Sequence, residues 1–221
     1  MFRKTCTLCF IFVVALYLFK CIFFLASKLQ IADFKPVGVI FLLDVSASNK
    51  SLQMQEEKTI VRICKRLDIE DKVRIYIVKD DAYLIYNENP HKSGAIKRAF
   101  AEYGKFDSKS YGTAYGLALK KAVDDALFFK SEGYKPSIVV LGDLENEGDI
   151  RKQINWNKLP QNMQRTLKFI PDLSLVLLYA HPKKLDNARE KLKTVIPDKQ
   201  LFFSSEENVD LTTRRFIKSL H

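Results

Sequence analysis

The stretch Val37 to Ser48, Val-Gly-Val-Ile-Phe-Leu-Leu-Asp-Val-Ser-Ala-Ser, constrains this chain more than any other. Six of its first seven residues are apolar and four of those are β-branched or aromatic, which is the pattern of a strand buried on both faces in the middle of a parallel sheet. The run stops at Asp44, and Ser46 and Ser48 follow at alternate positions before a helical pattern begins. A carboxylate and two hydroxyls leaving a central strand converge on one point, and hard divalent cations such as Mg²⁺ favour oxygen ligands of this kind. The same residue types also form turns and helix caps, and Asn49 or Ser51 is placed to cap the following helix.

The rest of the chain supplies a sheet around that strand. Ile60, Ile63, Cys64 and Leu67 recur at helical spacing among charged residues, as in an amphipathic helix laid on a sheet. Residues 73–78 and 82–86 are strand-like and close enough to form a hairpin, which a parallel sheet accommodates as one antiparallel edge. A short helix is expected over 95–103, and residues 104–112 are polar and loop-like. A second amphipathic helix starts from Gly112-Thr113-Ala114-Tyr115-Gly116, with Leu119, Ala122, Val123, Ala126 and Leu127 on its apolar face. Residues 137–141 form a short apolar strand that stops at Gly142-Asp143. The pattern is poor over 144–171, where one or two short helices are expected. A strand over 173–180, a helix over 183–195, a strand over 200–203 and a helix over 209–220 complete the chain. Strands alternating with helices at this spacing mean a doubly wound α/β domain, with a mostly parallel sheet of six strands.

In open α/β sheets, ligands bind beyond the carboxyl ends of the strands, where the winding reverses. Oxygen donors stand at three such places: Asp44 after the first strand, Asp143 after the fourth, and Thr113 in the loop between them. In a sheet ordered 3-2-1-4-5-6 the first and fourth strands are neighbours, so all three groups meet in one crevice.

These residues resemble the von Willebrand factor type A domain with its metal-ion-dependent adhesion site. That family has Asp-x-Ser-x-Ser after its first strand, Thr in a Gly-Thr loop before a helix, and Asp at the end of its fourth strand. Asp44, Ser46 and Ser48 match the first part, Thr113 the second and Asp143 the third, and the resemblance covers residues 35–220. It implies the Rossmann-like sheet in the order 3-2-1-4-5-6. It also implies that Ser46, Ser48 and Thr113 ligate a cation directly, with Asp44 and Asp143 acting through waters. The ion is Mg²⁺, or Mn²⁺ or Ca²⁺ in its place, and its open position accepts an Asp or Glu from a protein partner. The family usually has Gly after the last Asp, where this chain has Leu144 followed by Glu145 and Glu147. Glu145, Tyr111 and His181 are candidates for a partner-binding rim, against plainer readings of Glu145 as part of an acidic loop and His181 as a turn histidine, while Tyr115 on the other side of Thr113 also fits packing under the helix.

The expected function is therefore a non-enzymatic binding module. A different class stays open. Leu-Leu-Asp44 with Gly142-Asp143 and Asp149 is also similar to haloacid-dehalogenase-like phosphohydrolases, which use a strand-terminal Asp as nucleophile with Mg²⁺. Those enzymes want an acid two residues later, where this chain has Ser46, and a hydroxyl is a poor general acid at neutral pH. A third reading is a metal-free scaffold of the same fold.

The ends of the chain and its charge bear on location. Between Thr5 and Ala26 only Thr7 and Lys20 interrupt a run of apolar residues, roughly the ~20 residues a bilayer-spanning helix needs. Phe24 and Leu25 disfavour cleavage by a signal peptidase. The expectation is an uncleaved anchor over 1–27, followed by the α/β domain over 28–221. That makes a single-pass membrane protein with its domain on the extracytoplasmic side, since Arg3 and Lys4 precede the run. Cys6, Cys9 and Cys21 fall in this segment, which leaves Cys64 alone in the domain, without a disulfide framework. The formal charge is +10, and without Arg3, Lys4 and Lys20 there remain 33 basic against 26 acidic residues, or +7. Such an excess suits an anionic membrane surface or an acidic partner. Nucleic acid is not expected, because the basic residues are scattered among acids in the sequence and no nucleic-acid motif accompanies them.

Overall fold

Strand β1 (Val37–Asp44) is buried along its whole length. Its alternate side chains enter two separate apolar layers, Ile40 and Leu42 one of them and Val39, Phe41 and Leu43 the other. A strand of this kind is stable only where both faces of its sheet are covered. The structure is a computed structural model that describes residues 35–46, 48–103, 112–145 and 148–220. The chain divides between Lys35 and Pro36, and the fold described is that of the second unit.

Strands β2 (Lys72–Val78), β3 (Ala82–Glu88), β4 (Lys135–Leu141), β5 (Ser174–Leu178) and β6 (Leu201–Phe203) join β1 in one sheet. The order is β3-β2-β1-β4-β5-β6. All neighbours are parallel except the β2–β3 hairpin. This is the doubly wound sheet expected, with its antiparallel edge strand. Helices α1 (Gln53–Cys64), α2 (Ser93–Tyr103) and α6 (Val209–Leu220) cover one face, and α3 (Tyr115–Ser131), α4 (Leu159–Phe169) and α5 (Pro182–Leu192) the other. The segment of poor pattern holds one short 3₁₀ turn, Ile150–Lys152, and then α4. Cys64 is a buried free thiol on the inner face of α1, and burial pushes it up to about 12.

Helix α3 presents a face turned slightly from the one its periodicity suggests. Tyr115, Ala118, Ala122, Ala126 and Phe129 are buried, while Leu127 is 40% exposed. Alanines four residues apart form a smooth ridge, so the helix approaches β1 and β4 closely. Gly38 in β1 makes room for Phe129, because a Cβ there would lie 2.4 Å from the ring. At the sheet edge, Arg74 pairs with Asp125 of α3, and Tyr76 donates to the same carboxylate at 2.7 Å.

The registers bring the site residues to one end of the sheet. Asp44 pairs with Val78 and Leu43 with Leu141, so Asp44, Lys79 and Gly142-Asp143 leave the sheet side by side.

The expected single-pass membrane localisation is corrected. Among the described residues no helix is long and apolar enough to cross a membrane. The longest of them, α3, has 17 residues and carries Lys120, Lys121, Asp124, Asp125 and Lys130. It is about 26 Å long, short of the ~30 Å hydrocarbon core, and charges along its length would be left in lipid. The segment 5–26 and the anchor expected over 1–27 lie outside the described residues.

Gly38→Ala is expected to destabilise the fold by about 1–3 kcal/mol, through overpacking against Phe129. Urea unfolding of the variant beside the parent chain measures this.

Candidate functional site

Asp44 ends a wholly apolar strand and is itself fully buried. A carboxylate there must be hydrogen-bonded to persist. Its Oδ1 accepts the Ser46 N–H at 2.8 Å, and its Oδ2 accepts the Tyr115 hydroxyl at 2.7 Å. Tyr115 is also fully buried, in the first turn of α3, and its oxygen accepts the Leu144 N–H at 3.4 Å. One phenol oxygen thus ties the end of β1 to the residues after β4. Gly142 is required at this junction. Its φ is +149°, and a Cβ would meet the Tyr115 hydroxyl at 2.1 Å and the Asp44 Cβ at 2.5 Å.

The hydroxyls singled out by the sequence lie in the loop after β1 and in the loop before α3. Ser46 Oγ and Ser48 Oγ are 3.0 Å apart, Ser46 buried and Ser48 exposed. The Ala114 N–H donates to the Lys79 carbonyl at 2.6 Å and holds the Gly-Thr loop against the end of β2. Thr113, two residues before Tyr115, is 1% exposed. Its Oγ1 is buried without a hydrogen-bond partner among the described residues. Among the described residues it shares this state with Asn49 Oδ1, Glu56 Oε1, Ser137 Oγ, Gln200 Oε1 and Thr213 Oγ1, and a buried, unsatisfied oxygen costs stability.

Asp143 is half-buried. Its Oδ1 accepts the Glu145 N–H at 2.8 Å, and its carbonyl accepts the His181 N–H at 3.1 Å. Burial pushes the Asp44 carboxyl up to about 6, and the Asp143 charge adds to the rise against the opposing Ser46 and Tyr115 hydrogen bonds. Among the described residues no group of three or more His, Cys, Asp or Glu is placed to hold a metal.

Behind Asp44 lies a pair that the sequence pattern did not single out. Asn49 does not cap α1, whose N-cap is Leu52 without a side-chain bond. Its amide nitrogen donates instead to the Asp44 carbonyl at 2.9 Å and to Glu56 Oε2 at 2.8 Å. Glu56 is fully buried, and burial pushes its carboxyl up to about 9, with the Asp44 and Asp143 charges adding to the shift. The signal was present in the helical spacing, since Glu56 stands four residues before Ile60 on the inner face of α1.

The rim residues separate. His181 occupies the N-cap position of α5, with its side chain exposed and its backbone bonded to Asp143. Glu145 is half-buried, and its backbone is turned onto Asp143. Tyr111 and Glu147 lie outside the described residues. Leu144 takes φ +60° while buried, and Tyr179 at the end of β5 takes φ +63°. A left-handed non-glycine residue costs about 1–2 kcal/mol. Leu144 therefore carries as strain what Gly would adopt freely.

No protein-family model and no curated protein matches the sequence. Solved structures do match in fold. The chain is similar to the von Willebrand factor type A domain of SpRpn10, with a TM-score of 0.59 and 10% identity over 77% of this chain and 87% of that one. It is similar to an aerotolerance-related membrane protein from Bacteroides fragilis, with a TM-score of 0.60 and 15% identity over 83% and 98% of the two chains. It is also similar to proximal thread matrix protein 1 from the mussel byssus, a structure with a zinc-occupied adhesion-site motif. There the TM-score is 0.55 and the identity 17%, over 85% of this chain and 46% of the mussel protein, so this chain spans less than half of that one. The fold is thus that of von Willebrand factor type A domains.

The buried carboxyls set a pH dependence. The folded chain holds the Glu56 proton up to about 9, whereas the unfolded chain releases it near 4.5. Between those values the folded state binds more protons, so stability falls as pH rises through the window. In the presence of a chelator, the urea midpoint is expected to be lower at the alkaline end of this window than at the acid end. Glu56→Gln is expected to remove most of that slope.

Proposed function

We propose that this chain is a protein-interaction module that docks an acidic residue of its partner through a divalent cation. Asp44, Ser46, Ser48, Thr113 and Asp143 would hold the ion, with Mg²⁺ favoured and Mn²⁺ or Ca²⁺ as substitutes. The observation that carries this reading is the orphaned Thr113 Oγ1, buried within two residues of the tyrosine that binds Asp44. The Ser46 and Ser48 hydroxyls, 3.0 Å apart in the loop after β1, offer oxygens of the same hard chemistry. The fold shared with von Willebrand factor type A domains, one of them with zinc at its adhesion-site motif, supports the same reading.

Each residue has a distinct task. Ser46, Ser48 and Thr113 offer neutral oxygens, which leaves the site short of full charge compensation and receptive to a partner's carboxylate. Asp44 already accepts from Ser46 and Tyr115, so it acts as a fixed negative charge through water. Asp143 supplies the second negative charge from the neighbouring strand. Tyr115 and Asn49 orient Asp44 from opposite sides, one at its carboxylate and the other at its carbonyl. When bound, the ion supplies a hard positive charge that accepts an oxygen of the partner's Asp or Glu. Because both Asp44 oxygens are engaged, the residue is poorly placed as the nucleophile of a phosphohydrolase, and turnover of an aryl phosphate is not expected.

Thr113→Val separates the ion from the fold. It removes an unsatisfied hydroxyl, so in the presence of a chelator the variant should be as stable as the parent or slightly more stable. The parent chain should give a heat of binding with Mg²⁺ or Mn²⁺ in titration calorimetry and a raised unfolding midpoint, and Thr113→Val should lose both. A parent chain that gives neither signal would overturn the cation-dependent reading.

A further inference from the structure

Away from the crevice, on the outer side of α1 and α2, lies a groove with a cavity volume of about 820 Å³. Its apolar surface comes from Met54, Ala101 and the half-buried Val61, while Phe100 behind them belongs to the core. Met54 is 65% exposed, and its flexible thioether chain can adapt to an apolar surface laid on it. Around this surface stand Lys58, Arg62, Lys65, Arg66 and Lys97, all exposed, against the single carboxylate of Glu57. Arg62 is engaged by Asp210 at 2.5 Å. Among the described residues the other four cations form no ion pair.

The arrangement follows from helical spacing. Met54, Lys58, Val61 and Lys65 recur along one face of α1, and Lys97 with Phe100 and Ala101 forms the facing edge of α2. The basic residues that read as scattered in the sequence are gathered here into one stripe. Lining residues run from Gln53 to Arg66 along α1, an axial length of about 20 Å, which matches roughly three to four turns of a facing helix.

We infer that the α1–α2 groove docks an acidic amphipathic helix of a protein partner, its apolar face against Met54, Val61 and Ala101 and its carboxylates against Lys58, Lys65, Arg66 and Lys97. The charge complementarity commits the occupant. An apolar groove with one carboxylate and five cations repels a basic helix and leaves a neutral one facing unpaired charge. A helical occupant suits the groove better than an extended one, since neither flanking element presents a free strand edge. This site is independent of the cation crevice and uses none of its residues.

The probe is a fluorescein-labelled amphipathic peptide of about fourteen residues, with leucines on one face and glutamates on the other, titrated with the full chain by anisotropy. Binding should weaken as salt is raised. It should fall about tenfold or more in Lys58→Glu/Lys65→Glu/Lys97→Glu, three exposed changes that leave the core untouched. Met54→Gln should weaken it as well. A chelator and Asp44→Ala should leave it unchanged, which distinguishes this groove from the proposed cation site. Equal binding of a lysine-for-glutamate version of the peptide would overturn the inference, as would binding insensitive to the triple charge reversal. Phosphatidylserine vesicles that bind in a reversal-sensitive way while the peptide does not would overturn it in favour of a lipid surface.

Discussion

A buried carboxylate at the end of a strand with no polar face is the condition on which the rest of this architecture turns. Asp44 leaves the sheet where neither side offers water, and an unpaired charge there would be too costly for a marginally stable fold. The chain meets the condition from two segments: the loop after β1 gives the Ser46 backbone and the Asn49 amide, the latter on the adjoining carbonyl, and the start of α3 gives the Tyr115 hydroxyl. Each of these has structural consequences. Tyr115 must be buried at the start of α3, which forces Gly142 to carry no side chain. Asn49 must turn inward, which leaves α1 without a side-chain cap and places Glu56 beneath the crevice.

The same crevice accumulates negative charge and unsatisfied oxygen. Burial raises the carboxyls of Asp44 and Glu56, and the Asp143 charge adds to both rises. Raised carboxyls gathered in a cleft mark a candidate functional site. The left-handed Leu144 and Tyr179, at the ends of β4 and β5, belong to the same rim of the sheet.

Helix α1 serves two chemistries through its two faces. Inward it carries Glu56, Thr59, Ile60, Ile63 and Cys64 toward the core and the crevice. Outward it carries Lys58, Arg62 and Lys65 toward the groove shared with α2. The proposed cation site and the proposed docking groove thus lie on the two sides of one helix.

Local pattern determined much of this protein. The apolar run before Asp44, the alternation of strands with helices, and the positions of Ser46, Ser48, Thr113 and Asp143 were legible because period, turn chemistry and strand ends are properties of neighbouring residues. Other features were decided only in three dimensions. The burial of Glu56 follows from the sheet covering its side of α1, and Leu127 read as core until the alanine ridge set the rotation of α3. The partnership of Tyr115 with Asp44 joins residues 71 positions apart. The basic stripe exists only because two helices lie side by side. Sequence spacing determines which face of an element a residue occupies, but what that face meets depends on packing between distant segments, and burial, pKa and the fit of a ligand all follow from that meeting.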